Sequence, residues 1–309
     1  MVVSKRGLAI ELRLGLLEMI VTATYVLISG GATAATLWNA LDKCGEDVQA
    51  SYASGMSSGM SSGMSSGMSN GRRLMAMSGP PPTVAIEVAL ITGFSAAVAS
   101  SLSWNNPMQA QQSTTASGAL FHPAVTLALA MRQQLAPMRA VSFLAFQCIG
   151  SVVGGALILG VLGGECFEQS FSSAGFANPG VASGRRVLLD TILSGLLSLI
   201  YLWVVKRSRF MPSPIIIGFA YICSTMLAYP ITGMGNFNPL RSLGLAVGGA
   251  NQQPKWEPWV GALAGSALAA TLDALLFSPR LWANLGDSAP EGVTNKKVQP
   301  TTMGTMAMD

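Results

Sequence analysis

The stretch Gly-Met-Gly-Asn-Phe-Asn-Pro-Leu-Arg-Ser-Leu-Gly, residues 233–244, decides the fold. It lies between two apolar runs, and it is too short and too rich in glycine to cross a membrane. Asn238 is a good helix N-cap and Pro239 suits a first helical turn, so the sequence predicts a short helix that begins here. Arg241 follows in that turn, and an arginine between membrane spans is costly unless it lines water or meets a partner. This arrangement is typical of a half-helix that opens on a selective pore.

A second stretch of the same kind lies near the middle of the chain, Ser-Gly-Ala-Leu-Phe-His-Pro-Ala-Val-Thr, residues 117–126. The sequence predicts one half-helix over residues 123–132 and the other over residues 239–247. One half-helix start in each half indicates two related halves, residues 8–165 and 186–279, around one channel.

The composition is that of a helical membrane protein. The chain has 309 residues, of which 50% are hydrophobic and 10% charged, whereas soluble domains carry about 25% charged residues. Apolar runs predict membrane spans over residues 8–38, 83–102, 138–162, 186–205, 214–231 and 256–277. The formal net charge of +4 comes from dispersed basic residues, which gives no case for a nucleic-acid partner. No metal-ligand spacing and no convergent nucleophile and base occur, so we expect no metal site and no enzyme activity.

The remaining segments are polar. We expect a short tail over residues 1–7, a polar loop over residues 39–82 and a disordered tail over residues 280–309. Inside the loop, repeats of Met-Ser-Ser-Gly have a flexible-linker composition, although regular thioethers also suit Cu(I). Cys44 and Cys166 fall in predicted outer loops, which leaves a disulfide between them open.

Six spans place both ends of the chain on one side of the membrane. Basic residues are in excess in the segments that are internal if both termini are cytoplasmic, which favours that orientation. The His122 half-helix then enters from inside and the Asn238 half-helix from outside, as in an inverted repeat. Nothing in the sequence separates the plasma membrane from an internal membrane.

These residues resemble the two Asn-Pro-Ala boxes of the aquaporin, or major intrinsic protein, family. His122, Pro123 and Ala124 are similar to the first box, and Asn238, Pro239 and Leu240 to the second. Further matches are Glu18 and Asp190 in the first and fourth spans, Gln147 in the third, and Trp259-Val260-Gly261 in the sixth. The resemblance covers about residues 8–279, apart from the long first loop and an insertion before His122. It implies an all-α fold of six tilted helices and two half-helices, a homotetramer in the lipid bilayer with one pore per subunit, and passive conduction of water or small neutral solutes without a cofactor.

The resemblance also implies roles for the box residues. Asn238 would cap its half-helix and donate a hydrogen bond to the passing oxygen. The two positive helix ends would oppose cations at the pore centre, and Arg241 would form the narrowest constriction. Glu18 and Asp190 would hydrogen-bond the loops that lead into the half-helices.

Two box residues depart from the family pattern. His122 replaces an Asn, and a protonated imidazole there would place a positive charge beside the pore centre, so acidification would change conductance. The alternative is a tolerated substitution that does not titrate between pH 5 and 8. Leu240 replaces an Ala and adds an apolar wall beside Asn238.

The constriction residues give conflicting signals. Motif spacing puts Thr92 and Thr225 at the constriction positions of the second and fifth spans. Met234 and Gly235 compete for one further constriction position, because the second motif has one residue more before Asn238 than the family pattern. Two threonines predict a wider opening that suits glycerol or urea, and Pro258 agrees. Against this, Ser242 stands where glycerol facilitators of the family usually carry Asp, and Trp259 resembles the residue of the family's water channels.

Three functions therefore stay open. The leading hypothesis is a water channel with leakage of small neutral solutes, and the second is a glycerol- or urea-type facilitator. A non-conducting membrane interaction protein is the third, and an occluded pore would favour it.

Overall fold

The computed structural model describes residues 5–55, 82–103, 117–163, 181–207, 213–232, 237–247 and 256–277, with the backbone alone over residues 38–55. The described segments fold into eight helices. They are α1 (Lys5–Gly55), α2 (Pro82–Leu102), α3 (Pro123–Met131), α4 (Pro137–Leu162), α5 (Ser183–Arg207), α6 (Ser213–Thr232), α7 (Pro239–Val247) and α8 (Glu257–Phe277). The short helices α3 and α7 are the predicted half-helices.

Six of these helices, all except α3 and α7, are long and apolar enough to cross a membrane. Large apolar side chains point outward from them, such as Val161 at 77% exposed and Phe94 at 65% exposed. Polar and charged side chains such as Glu18 and Gln147 lie inside at 0% exposed. An apolar exterior around a polar interior is the pattern that lipid surroundings require.

The helix ends mostly follow the local signals. Pro123 and Pro137 each stand at the start of a helix, where the missing N–H costs nothing. Gly163 ends α4 with a φ of 75°, a conformation that glycine adopts without strain. The second half-helix has the predicted bounds.

The end of α1 is a correction. The sequence predicted a loop from residue 39, whereas the helix continues to Gly55 although its apolar span covers only Gly7–Leu37. Residues 39–54 contain no proline and several good helix formers, and hydropathy reports membrane insertion rather than helicity. The rest of the predicted loop, its repeats, the Cys44–Cys166 disulfide and the tail over residues 280–309 lie outside what the structure describes.

The helix contacts repeat between the two halves. α1 packs on α4 in the first half, and α5 packs on α8 in the second. α2 and α6 pack on each other across the halves. Each half-helix is held by the other half, since α3 packs on α8 and α7 packs on α4. This exchange is what an inverted repeat produces.

Small residues allow these contacts to be close. A Cβ atom added to Gly155 of α4 would lie 1.8 Å from the carbonyl oxygen of Gly244 in α7, and one added to Gly150 would lie 2.3 Å from the Met19 oxygen in α1. Neither position accepts a side chain without moving a backbone. Glycine therefore sets how near α7 and α1 come to α4.

Candidate pore site

Both half-helices begin with the same capping geometry. His122 has extended dihedrals, φ −142° and ψ 120°, and its Nδ1 accepts a hydrogen bond from the Ala124 N–H at 3.2 Å. Asn238 Oδ1 accepts from the Leu240 N–H at 3.0 Å. In both boxes, therefore, the side chain before the proline satisfies a free N–H of the first turn.

The two boxes meet through a direct hydrogen bond. Asn238 Nδ2 donates to the Phe121 carbonyl oxygen at 3.1 Å, and both residues are buried. The Asn238 amide thus caps its own helix with its oxygen and joins the other box with its nitrogen. The two half-helix N-termini are brought together in the interior of the bundle, as the sequence predicted for opposed half-helices.

Glu18 holds the loop that leads into α3. Its carboxylate accepts the backbone N–H of Leu120 at 3.0 Å, the N–H of Phe121 at 3.2 Å, and Gln147 Nε2 at 2.9 Å. Gln147 Nε2 also donates to Thr126 Oγ1 at 3.0 Å within α3. Charge-assisted bonds of this kind stabilise a loop conformation that would otherwise not persist.

That loop does carry backbone strain. Ala119 has a φ of 52°, in the left-handed region that non-glycine residues rarely adopt, and it follows Gly118 with a φ of 97°. This conformation directs the Leu120 and Phe121 N–H groups to Glu18 while the Ala119 carbonyl accepts from the Tyr201 hydroxyl at 3.4 Å. The buried carboxylate and the strained turn therefore depend on each other.

Asp190 occupies the matching place in the second half but shows fewer contacts. It is 1% exposed, and its Oδ1 has no hydrogen-bond partner among the described residues. Its Cβ lies where a side chain on Gly261 would stand, so α5 and α8 are in close contact beside it. Arg186 and Glu257, 3.6 Å apart, lie near its carboxylate. Residues 233–236, which lead into the second box, are not described.

Arg241 is fixed against the first span. The side chain is 1% exposed, and Nη2 donates to Thr33 Oγ1 at 2.8 Å and to the Ser29 carbonyl at 3.4 Å. A buried guanidinium with these acceptors has a set position beside the second box. Leu240, next to it, is fully buried, and its carbonyl accepts a short hydrogen bond from Ser151 Oγ.

The predicted threonine positions are buried but do not join Arg241 through hydrogen bonds. Thr92 donates to the Val88 carbonyl of its own helix at 2.7 Å. Thr225 Oγ1 has no hydrogen-bond partner among the described residues. Met234 and Gly235 lie outside the described residues.

The sequence reasoning missed a group of aromatic rings at the centre, which we call the ring cluster: Tyr25, Phe121, Tyr221 and Phe237. Ring centroids are 4.9 Å apart for Tyr25 and Phe121, 5.6 Å for Phe121 and Tyr221, and 5.3 Å for Tyr221 and Phe237. His122 lies at its edge, 5.9 Å from the Phe237 ring. A signal was present, since Tyr221 precedes Thr225 by one helical turn on the same face and Tyr25 follows Glu18 by about two turns.

The family model described as "Major intrinsic protein" matches residues 10–272 of the chain. The chain belongs to the major intrinsic protein family. The relatives that this member of the family resembles include Aquaporin-1 of Sus scrofa, 35% identical over 167 residues, and Aquaporin FA-CHIP of Pelophylax lessonae, 33% identical over 167 residues. Each match covers 53% of this chain and 60% of the relative, so the chain spans well under two thirds of the relatives' length.

A solved structure shows the fold of this family member. The X-ray structure of the aquaglyceroporin from Plasmodium falciparum superposes with a TM-score of 0.62 at 17% sequence identity, covering 88% of this chain and 99% of the other. The predicted all-α, aquaporin-like fold is thereby confirmed. With six apolar spans, this major intrinsic protein is an integral multi-pass membrane protein.

Proposed function

We propose that the protein is a passive channel that conducts water, with leakage of small neutral solutes. The observation that carries the proposal is the meeting of two capped half-helix N-termini through Asn238 and Phe121, with the buried Arg241 in the first turn of α7. A water molecule passing there would meet Asn238 Nδ2 and the imidazole of His122. The Nδ1 atom of His122 accepts the Ala124 N–H, so the neutral ring carries its proton on Nε2 and is a donor toward water.

Selection against ions follows from charge in the same proposal. Two helix N-termini place partial positive charge at the centre, and Arg241 adds a full one. A cation, including a hydrated proton, would pass these charges with little hydration, whereas water would exchange one hydrogen bond for another.

The two intramembrane acids act structurally in this proposal. Glu18 supports the first box through the Leu120 and Phe121 N–H groups, and Asp190 supports the second box from the matching position. The Glu18 oxygens already accept hydrogen bonds from the chain itself, from Leu120, Phe121 and Gln147, rather than from a solute. We also propose a homotetramer with both termini cytoplasmic, which native mass spectrometry and protease accessibility of tagged ends would test.

A glycerol- or urea-type facilitator is the alternative within the same fold. The short side chains of Thr92 and Thr225 support it, and so does a fold shared with the aquaglyceroporin from Plasmodium falciparum. A non-conducting role is supported by a different observation: the ring cluster fills the centre of the bundle.

Stopped-flow light scattering on proteoliposomes at neutral pH tests whether the protein conducts water. A sucrose gradient should shrink them faster than empty liposomes, and Asn238→Ala should slow the shrinkage. Thr271→Ala, which removes an exposed hydroxyl bonded only within α8, should leave it unchanged. Water flow equal to that of empty liposomes, from protein that elutes as a single folded species, would reject the channel.

A further inference from the structure

The ring cluster draws its members from four separate parts of the chain. Tyr25 comes from α1, Tyr221 from α6, and Phe121 and Phe237 each directly precede the capping residue of a half-helix. The centroids of Tyr25 and Tyr221 are 5.5 Å apart, which closes a triangle with Phe121. Aromatic pairs in contact have centroids about 4.5–7 Å apart, so these three rings touch one another.

Burial shows that water does not reach the described ring side chains in this conformation. Phe121 and Tyr221 are 0% exposed, and Tyr25 and Phe237 are 1% exposed. His122 and Asn238 beside them are also 0% and 1% exposed. A file of water molecules, each of about 1.4 Å radius, would expose some of these side chains if it ran past them. The centre is therefore packed in this conformation.

The position of the cluster puts it in line with the two boxes and Arg241. Along α1, Glu18 bonds the loop of the first box, Tyr25 follows by about two turns, and Ser29 and Thr33 bond Arg241 one and two turns further on. Tyr25 thus lies between the level of the first box and the level of Arg241. Any solute that passes both levels must also pass Tyr25 and the rings it touches.

We infer that the ring cluster, rather than the level of Arg241, Thr92 and Thr225, is the narrowest point of the pathway and excludes solutes larger than water. This inference rests on the proposed channel function. Water needs only a small displacement of the rings and can bond the tyrosine hydroxyls, whereas a three-carbon polyol needs at least one ring to leave its place. At the other level, Thr92 and Thr225 have smaller side chains than the rings, and the Arg241 side chain is held against α1 by its hydrogen bonds to Ser29 and Thr33.

Trimming the rings in the full-length protein tests this. Tyr221→Val and Phe121→Leu should each raise glycerol permeability in proteoliposomes at least about tenfold, equivalent to a barrier lower by about 1.4 kcal/mol. Tyr221→Phe keeps the ring and should leave glycerol permeability near that of the wild type. Phe219→Val, on the same helix but 62% exposed, is the surface control, and Phe143→Leu, 0% exposed and outside the cluster, is the buried control.

The possible outcomes distinguish failure of the inference from failure of the proposed channel function. If the wild type conducts water but neither trimmed variant admits more glycerol than the two controls, the cluster is not the narrowest point and the channel proposal stands. If the wild type and both trimmed variants conduct nothing while eluting as folded protein, both proposals fail. If the wild type conducts nothing and the trimmed variants conduct water, the cluster closes the pathway to water as well, and both the channel proposal and the inference that the cluster passes water fail. Two separate trimming sites keep the test valid if one variant does not fold.

Discussion

Arg132 Nε donates to Asp273 Oδ2 at 2.8 Å, which joins the C-terminal end of the first half-helix to the last span. The partners differ in burial, because the Arg132 side chain is 27% exposed and that of Asp273 is 0% exposed. A buried charge that loses its partner costs up to about 3–5 kcal/mol. We expect Arg132→Met to lower the thermal unfolding midpoint in detergent more than Asp273→Asn, since only the first leaves a buried carboxylate without its arginine.

The exposed Arg13 provides the control for that experiment. Arg13→Met should change stability by no more than about 0.5 kcal/mol, because surface substitutions away from special features have small effects. Equal losses from Arg132→Met and Asp273→Asn would contradict the unequal burial of the pair.

Both oxygens of the Glu18 side chain are expected to be needed as hydrogen-bond acceptors. Glu18→Gln keeps the shape but replaces one acceptor oxygen by an NH2 group facing a backbone N–H. An unsatisfied buried donor costs about 1–3 kcal/mol, and the strained turn at Ala119 loses a support. Thermal unfolding and water permeability, measured separately, should both show the loss of this support. Glu87→Gln, at an exposed site of α2, should match the wild type in both measurements. Wild-type stability in Glu18→Gln would show that the carboxylate is dispensable.

Water flow should stay constant between pH 5 and 8. The His122 Nδ1 accepts the Ala124 N–H, so protonation there would remove the cap and add a charge to a helix N-terminus. The ring is also fully buried among aromatic side chains. Flow measured at several pH values in the wild type and in His122→Asn should give two flat profiles. A fall at acid pH in the wild type alone would instead assign a titration to His122.

Arg241 is expected to limit ion leakage. Arg241→Val removes the charge and frees Thr33 Oγ1, so the pathway should become more permeable to protons and small cations, by about tenfold if the barrier falls by about 1.4 kcal/mol. A pH-sensitive dye inside proteoliposomes would measure the leak under an imposed potential. Thr271→Ala serves as the neutral comparison. An unchanged leak in Arg241→Val would show that the helix ends alone exclude protons and small cations.

Local signals explain why the half-helices could be predicted. The starts at His122-Pro123 and Asn238-Pro239 depend on a capping side chain and a proline, which act within a few residues. Spans could be predicted from hydropathy for a similar reason. The continuation of α1 to Gly55 could not, because helix propensity there is not tied to apolar character.

The contents of the pore centre were beyond sequence reasoning. The hydrogen bond from Asn238 to the Phe121 carbonyl joins residues 117 positions apart, and the ring cluster combines side chains from four elements. No periodicity within one helix reports such a meeting. Spacing proposed Thr92 and Thr225, and it places Tyr221 one turn before Thr225, but it did not indicate that the Tyr221 ring would meet rings from other parts of the chain.

The exchange of half-helices between the halves bears on how the chain is made. Arg132 and Asp273 are 141 positions apart, so the ribosome must add five more structural elements before α3 meets the helix that anchors it. Until α8 is made, α3 lies in the translocation machinery or the bilayer without its contact to Asp273. The contact between Arg132 and Asp273 can therefore form only after α8, the last described helix, has been synthesised.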